Sequence, residues 1–151
     1  MESSIRIRMM RKVRSKLPRI FGGRSAKKGE KFQMAKVYAF VADGMEEVEC
    51  LAVCDCLRRA KVDVKLVSIM GRKMVTGSHG FKIEADCLFE EIEDDADVLF
   101  LPGGLVGTNN LKAHKGLAEM LKAHAAAGKR LAAICAAPSV LGELGLVKGH
   151  R

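Results

Sequence analysis

Three apolar runs of strand length, each breaking into a turn of small residues, constrain this 151-residue chain more than any other feature. Val37-Tyr-Ala-Phe-Val-Ala42 stops at Asp43-Gly44 and leads into a helical stretch that opens Met45-Glu-Glu-Val-Glu49. Asp97-Val-Leu-Phe-Leu101 stops at Pro102-Gly-Gly104, and Arg130-Leu-Ala-Ala-Ile134 runs into Cys135-Ala-Ala-Pro138. Short apolar runs bounded by turn signals suit buried strands. Val62 to Ile69 reads as a further strand. Lys115 to Ala127 places Leu117, Met120, Leu121 and Ala125 at helical spacing, with Gly128 as its stop signal. Lys73 to Cys87 holds Gly77-Ser-His-Gly80 between two short extended pieces, which predicts a hairpin. Strands alternating with helices imply an α/β fold with a mostly parallel sheet. Ligands bind such sheets outside the carboxyl ends of the strands, where Glu49, Gly104 and Cys135 could meet. No internal repeat is present.

The run through Cys135 has the form of a nucleophile elbow, in which a strand ends abruptly and a helix begins behind a sharp turn. Ala133, Ala136 and Ala137 let the turn close, and Pro138 suits a first helical position because it lacks an N–H that would go unpaired there. A sulfur near a helix N-terminus is held by the positive end of the dipole, which favours thiolate. The competing reading is structural, since free cysteine commonly packs as a small hydrophobe. Pro102-Gly-Gly104 is either a place where backbone N–H groups approach a ligand or an ordinary tight turn.

Glu46 and Glu47 fall in the first helical turn, where negative charge is favourable, so solvated structural roles are expected for both. Glu49 is the carboxyl placed to reach inward. If it were buried, desolvation would favour its protonated form, which can donate a hydrogen bond to a thiolate. Cys50, Cys54 and Cys56 form no second ligand pair, so core-facing roles are expected and no metal site is assigned. His79, His114 and His124 are isolated and are expected at the surface or in turns.

Taken together, Ala42-Asp-Gly-Met-Glu-Glu-Val-Glu49, Leu101-Pro-Gly-Gly104 and Ala132-Ala-Ile-Cys-Ala-Ala-Pro138 resemble the ThiJ/PfpI superfamily, in particular its Parkinsonism-associated deglycase branch. The resemblance runs from about Met34 to the C-terminus. It implies a flavodoxin-like, doubly wound sheet with helices on both faces, a nucleophile at Cys135, a protonated partner at Glu49, and oxyanion donors at the backbone of Gly104 and Ala136. It also implies action on small reactive carbonyls such as methylglyoxal, or on glycated protein, with no cofactor, and a homodimer. Two aimed N–H groups are the usual support for carbonyl chemistry at a cysteine. Relatives continue past the elbow with more strands and a histidine near the cysteine. His150 does not align with that residue and takes no role, and the fold is expected to be incomplete at its C-terminus. An open strand edge and unpaired apolar surface follow, with weak stability or association as the result.

Charge divides the chain. Residues 1–33 hold 11 of the 26 Lys and Arg and 2 of the 18 Asp and Glu, while residues 34–151 are close to neutral. The basic stretch reads as a disordered extension, with three competing meanings: an arm for nucleic acid or anionic membrane, an Arg-rich transit peptide, or sequence upstream of a natural start at Met34. The last is favoured, because Met34-Ala-Lys36 leads straight into the first strand. The 34–151 domain carries nothing that suggests a nucleic-acid partner. No apolar stretch reaches the roughly 20 residues that a spanning helix needs. Five cysteines without a framework of spacings point to a reducing compartment, with the cytoplasm as default and organelle import through the extension as the alternative. Two other functions compete with the enzyme reading: a redox-sensing stress chaperone that uses oxidation of Cys135, and an inactive truncated relative.

Overall fold

The computed structural model describes residues 34–149. Expectations for segment 1–33 and for His150 lie outside the described residues. The elements are β1 (Lys36–Val41), α1 (Glu47–Arg59), β2 (Asp63–Ser68), β3 (Met74–Thr76), β4 (Lys82–Glu84), β5 (Cys87–Leu88), β6 (Val98–Leu101), α2 (Leu105–Ala113), α3 (Lys115–Ala126), β7 (Arg130–Ala133) and α4 (Pro138–Glu143). A single turn of 3₁₀-helix covers Phe89–Glu91.

Five strands form one sheet in the order β5-β2-β1-β6-β7, and every pairing in it is parallel. β1 therefore sits centrally with β2 on one side and β6 on the other, so the chain winds away from it in both directions. The carboxyl edge at that switch point, where the loops after β1 and β6 emerge, is where ligands bind in sheets of this kind. β3 and β4 pair antiparallel as the expected hairpin, with Val75 opposite Ile83.

Alternation along β1 divides the core. Tyr38 and Phe40 join Leu99, Leu101, Leu111, Leu117, Leu121 and Val140 on one face. Val37, Ala39 and Val41 join Met45, Cys50, Cys54, Leu66 and Val75 on the other. Both faces are thus covered, as a parallel sheet requires. α1 lies against one face, and α3 and α4 against the other.

Some expectations are corrected. α2 follows the Pro-Gly-Gly turn directly, and β5 adds a short fifth strand. Of the three clustered cysteines, Cys50 and Cys54 are buried but Cys56 is exposed. His124 is fully buried rather than at the surface; its Nδ1 lies 3.1 Å from Asp94. His114 does stand at a turn, where its ring caps α3 by accepting the Leu117 N–H. Among the described residues no strand pairs with the outer side of β7, whose residues are only half-buried or exposed, unlike those of β1. No helix of the described residues is long and apolar enough to cross a membrane.

Candidate active site

α1 begins one residue later than its acidic run. Glu46 is the N-cap, in extended conformation, and its carboxylate accepts the Glu49 N–H at 2.7 Å. A capping carboxylate satisfies a donor that the first turn leaves orphaned and complements the dipole. The cap also fixes the face on which Glu49 projects. The Glu49 Oε2 atom is buried and has no hydrogen-bond partner among the described residues. An orphaned carboxyl oxygen of this kind is costly unless something else comes to it.

Gly103 shows where that oxygen points. A Cβ built on Gly103 would overlap Glu49 Oε2 and lie 2.7 Å from the Cys135 Cβ and 3.1 Å from the Ile134 carbonyl. The carboxyl and the cysteine therefore flank the same glycine, and only the absence of a side chain there lets them approach. Gly104 follows with φ of 89°, and its backbone lies against Gly44 and Met45 in the loop after β1. That contact is stitched by Glu46 N–H donating to the Gly103 carbonyl at 3.0 Å and Gly107 N–H donating to the Gly44 carbonyl at 3.0 Å.

Cys135 is exposed and adopts φ of 57°, a left-handed conformation that few non-glycine residues take. That is the elbow expected of the sequence. β7 ends at Ala133, the Ala137 N–H donates to the Ile134 carbonyl at 3.0 Å, and Pro138 opens α4. α4 is only six residues long, so the dipole behind the sulfur is short. The hydrogen bonds of the turns and loops include none donated by the N–H of Gly104 or Ala136 to another described residue. Two other thiols, Cys50 and Cys87, are held in their neutral form, and Cys54 is buried. Contact with Cys54 and then burial push the Cys50 thiol up, and burial raises that of Cys87.

The structure brings together Glu49, Cys135 and the Gly103–Gly104 loop, as the sequence led one to expect. It also places a residue that the sequence reading assigned to solvent. Glu47 is buried, with 5% exposure. It accepts the His79 N–H at 2.7 Å and the Ser78 hydroxyl at 3.1 Å, and its Oε2 lies 2.9 Å from His79 Nδ1. Burial pushes this carboxyl up, but the hydrogen bonds from the His79 ring, the backbone and Ser78 outweigh it and carry its pKa down to about 2. His79 moves the other way: its hydrogen bond to Glu47, then the charge of Glu47, raise its pKa above 6.5. An acidic residue in a first turn gave no hint of this, because the partner lies 32 residues further on across a hairpin.

This is a doubly wound α/β protein with a cysteine on a strand-to-helix elbow, faced by a glutamate from the first helix and by a Pro-Gly-Gly loop. Residues 35–151 match the DJ-1/PfpI family, and the chain belongs to that family. It is similar to DJ-1 homolog B of Arabidopsis thaliana, with 39% identity over 113 residues that cover 74% of this chain and 26% of that protein. It is 36% identical to dj-1beta of Drosophila melanogaster over 110 residues, 72% of this chain and 59% of the relative. A protein named as a deglycase from Pyrococcus abyssi is 32% identical over 117 residues, 77% of this chain and 69% of the relative. Among solved structures, oxidized DJ-1 of Toxoplasma gondii superposes with a TM-score of 0.74 at 38% identity, covering 76% of this chain and 64% of that one. The chain thus spans about a quarter of the Arabidopsis protein and less than two thirds of the Drosophila one.

Proposed function

We propose that the 34–151 domain carries a cysteine-dependent site for small reactive carbonyls or their adducts on proteins, of the deglycase or glyoxalase type. The observation that carries this reading is the meeting of an unpartnered, buried Glu49 oxygen with Cys135 across Gly103. Cys135 Sγ bonds to the carbonyl carbon of an aldehyde, the C=O π bond breaks, and the thiol proton ends on the former carbonyl oxygen by way of Glu49. The product is a hemithioacetal. The N–H groups of Gly104 and Ala136 stabilise negative charge on that oxygen while it develops. The name of the Pyrococcus relative supports the substrate class.

A second copy of the chain is the proposed partner. Val48, Leu51 and Phe81 expose 70%, 38% and 66% of their surfaces along α1 and the hairpin, and this apolar face supports a homodimer. Cytoplasmic residence is the proposed setting, in keeping with five unpaired thiols.

Iodoacetamide labelling of Cys135 mapped by mass spectrometry, beside Glu49→Gln, tests the site, followed by methylglyoxal consumption. The reading requires Glu49→Gln to change the Cys135 labelling rate several-fold and to abolish aldehyde loss. Labelling indifferent to Glu49 together with no aldehyde consumption would end it. The exposure of Cys135 favours one alternative, a redox sensor. Peroxide titration separates the two: holdase activity gained as Cys135 is oxidised indicates sensing, and aldehyde turnover by the reduced protein that is lost on oxidation with no holdase activity gained indicates catalysis.

A further inference from the structure

The β3–β4 hairpin is tied at five points to the loop after β1 and the start of α1. Gly44 N–H donates to the Thr76 carbonyl at 2.8 Å and Ser78 N–H to the Met45 carbonyl at 2.7 Å. The other three converge on Glu47, from the His79 N–H, the Ser78 hydroxyl and the His79 ring. A Cβ on Gly77 would fall on that carboxylate, so the approach is as close as the backbone permits. Glu47 stands between Glu46, which caps the Glu49 N–H and donates its own N–H to Gly103, and Glu49 itself. A pull on Glu47 is thus a pull on the turn that aims the Glu49 carboxyl and props the Gly103–Gly104 loop.

We propose that the His79–Glu47 pair is a positioning clamp for the candidate site, through which the ionisation of His79 reaches Glu49 and the Gly103–Gly104 loop by way of the first turn of α1. Only the chemistry assigned to that site rests on the function proposed above; the clamp itself rests on these contacts. The charged groups facing His79 from α1 are Glu47 and, at 3.8 Å, Glu46 Oε1. On its own turn the neighbour is the neutral Ser78 hydroxyl at 3.0 Å. Asp43, the next carboxylate, is engaged by Arg72 and the Thr76 N–H. His79 is 66% exposed, so protons reach it freely. Losing its proton removes the charge attraction to both glutamates and leaves one N–H to serve two ring nitrogens. Glu47 then keeps the Ser78 hydroxyl and the His79 N–H, so the clamp loosens without coming apart.

The test is an NMR titration from about pH 5 to 9 in a Cys135→Ser background, where no thiol at that position titrates. The His79 C2 proton and the amides of Glu49, Gly103 and Gly104 are followed together. The proposal requires one shared midpoint above 6.5, loss of the amide titration in His79→Arg, and a His79 midpoint that falls toward 6.5 in Glu47→Gln with the amide response gone. Amides that stay flat in the parent, or that titrate equally in His79→Arg, overturn it. So does a change of association state by sedimentation in either variant, which would place the effect between chains. Failure of the function proposed above appears elsewhere, in Cys135 labelling that ignores Glu49, and leaves the titration standing.

Discussion

Replacing Cys135 by glycine should stabilise the fold relative to replacing it by alanine. At φ of 57° an L-residue bears a penalty of roughly 1–2 kcal/mol that glycine escapes. Glycine in turn loses about 0.5–1 kcal/mol more chain entropy on folding than alanine does. The difference leaves Cys135→Gly more stable than Cys135→Ala by about 0.5–1 kcal/mol. Alanine is the right reference because the thiol is exposed, so removing it sacrifices little burial while keeping the strained backbone. Lys61 supplies the control: it is exposed, has φ of 63°, and follows the end of α1 far from the candidate site in sequence. Lys61→Gly against Lys61→Ala should gain a similar amount. Urea denaturation measures both pairs, and a gain of this size corresponds to about 2–5 °C in Tm for a domain near 120 residues. A Lys61 pair that responds while the Cys135 pair does not would refute the claim that the elbow stores strain.

Gly103→Ala should cost about 1–3 kcal/mol by overpacking and remove any dependence of Cys135 labelling on Glu49, because the added methyl occupies the place where the two groups meet. Leu121→Ala, at a fully buried position on α3, should lose about 2–5 kcal/mol in chemical denaturation. Glu47→Gln should destabilise the fold most between about pH 4.5 and 6.5. The carboxylate's contribution is present above its unfolded value of 4.5 and is lost as pH falls toward about 2. The imidazolium's contribution is present below 6.5 and is lost as pH rises through its raised folded value, so the gap between wild type and variant should close on the acid side and narrow, without closing, on the alkaline side, where Glu47 keeps the His79 N–H and the Ser78 hydroxyl. A gap that stays constant from pH 3 to 9 would rule out the ionic part of the contact.

Much of the fold was legible because β1 and β6 are buried almost throughout and read as near-continuous apolar runs, while β2 keeps Val64, Leu66 and Val67 buried between the polar Asp63, Lys65 and Ser68. α2 was not, since Leu105–Ala113 contains Gly107, Thr108, Asn109 and Asn110 and has little apolar periodicity. It is held from outside, by Gly107 against Met45 and by the Asn110 amide donating to the Asp43 carbonyl at 2.9 Å. Cys135, Glu49 and Gly104 stood out because each follows a strand end. Glu47 did not, because its burial is decided by a residue that only the hairpin brings near. His124 carried a readable signal that was missed: it continues the inward register of Leu117 and Leu121 on α3, one turn further along.

Among the described residues, the strand that leads to Cys135 is paired along one side. β7 is joined to β6 through pairs from Val98 with Arg130 to Leu101 with Ala133. The Arg130 and Ile134 N–H groups turn toward β6, so in a parallel ladder Leu131 and Ala133 turn theirs the other way. A segment fastened along a single seam frays more readily than one fastened along two, and its amides exchange with solvent through smaller openings. Whatever lies along that free seam, whether water, a strand of the same chain or another molecule, therefore sets how often the elbow loses its footing. The lifetime of the Cys135 geometry is thus set two residues behind the sulfur, along the outer side of β7.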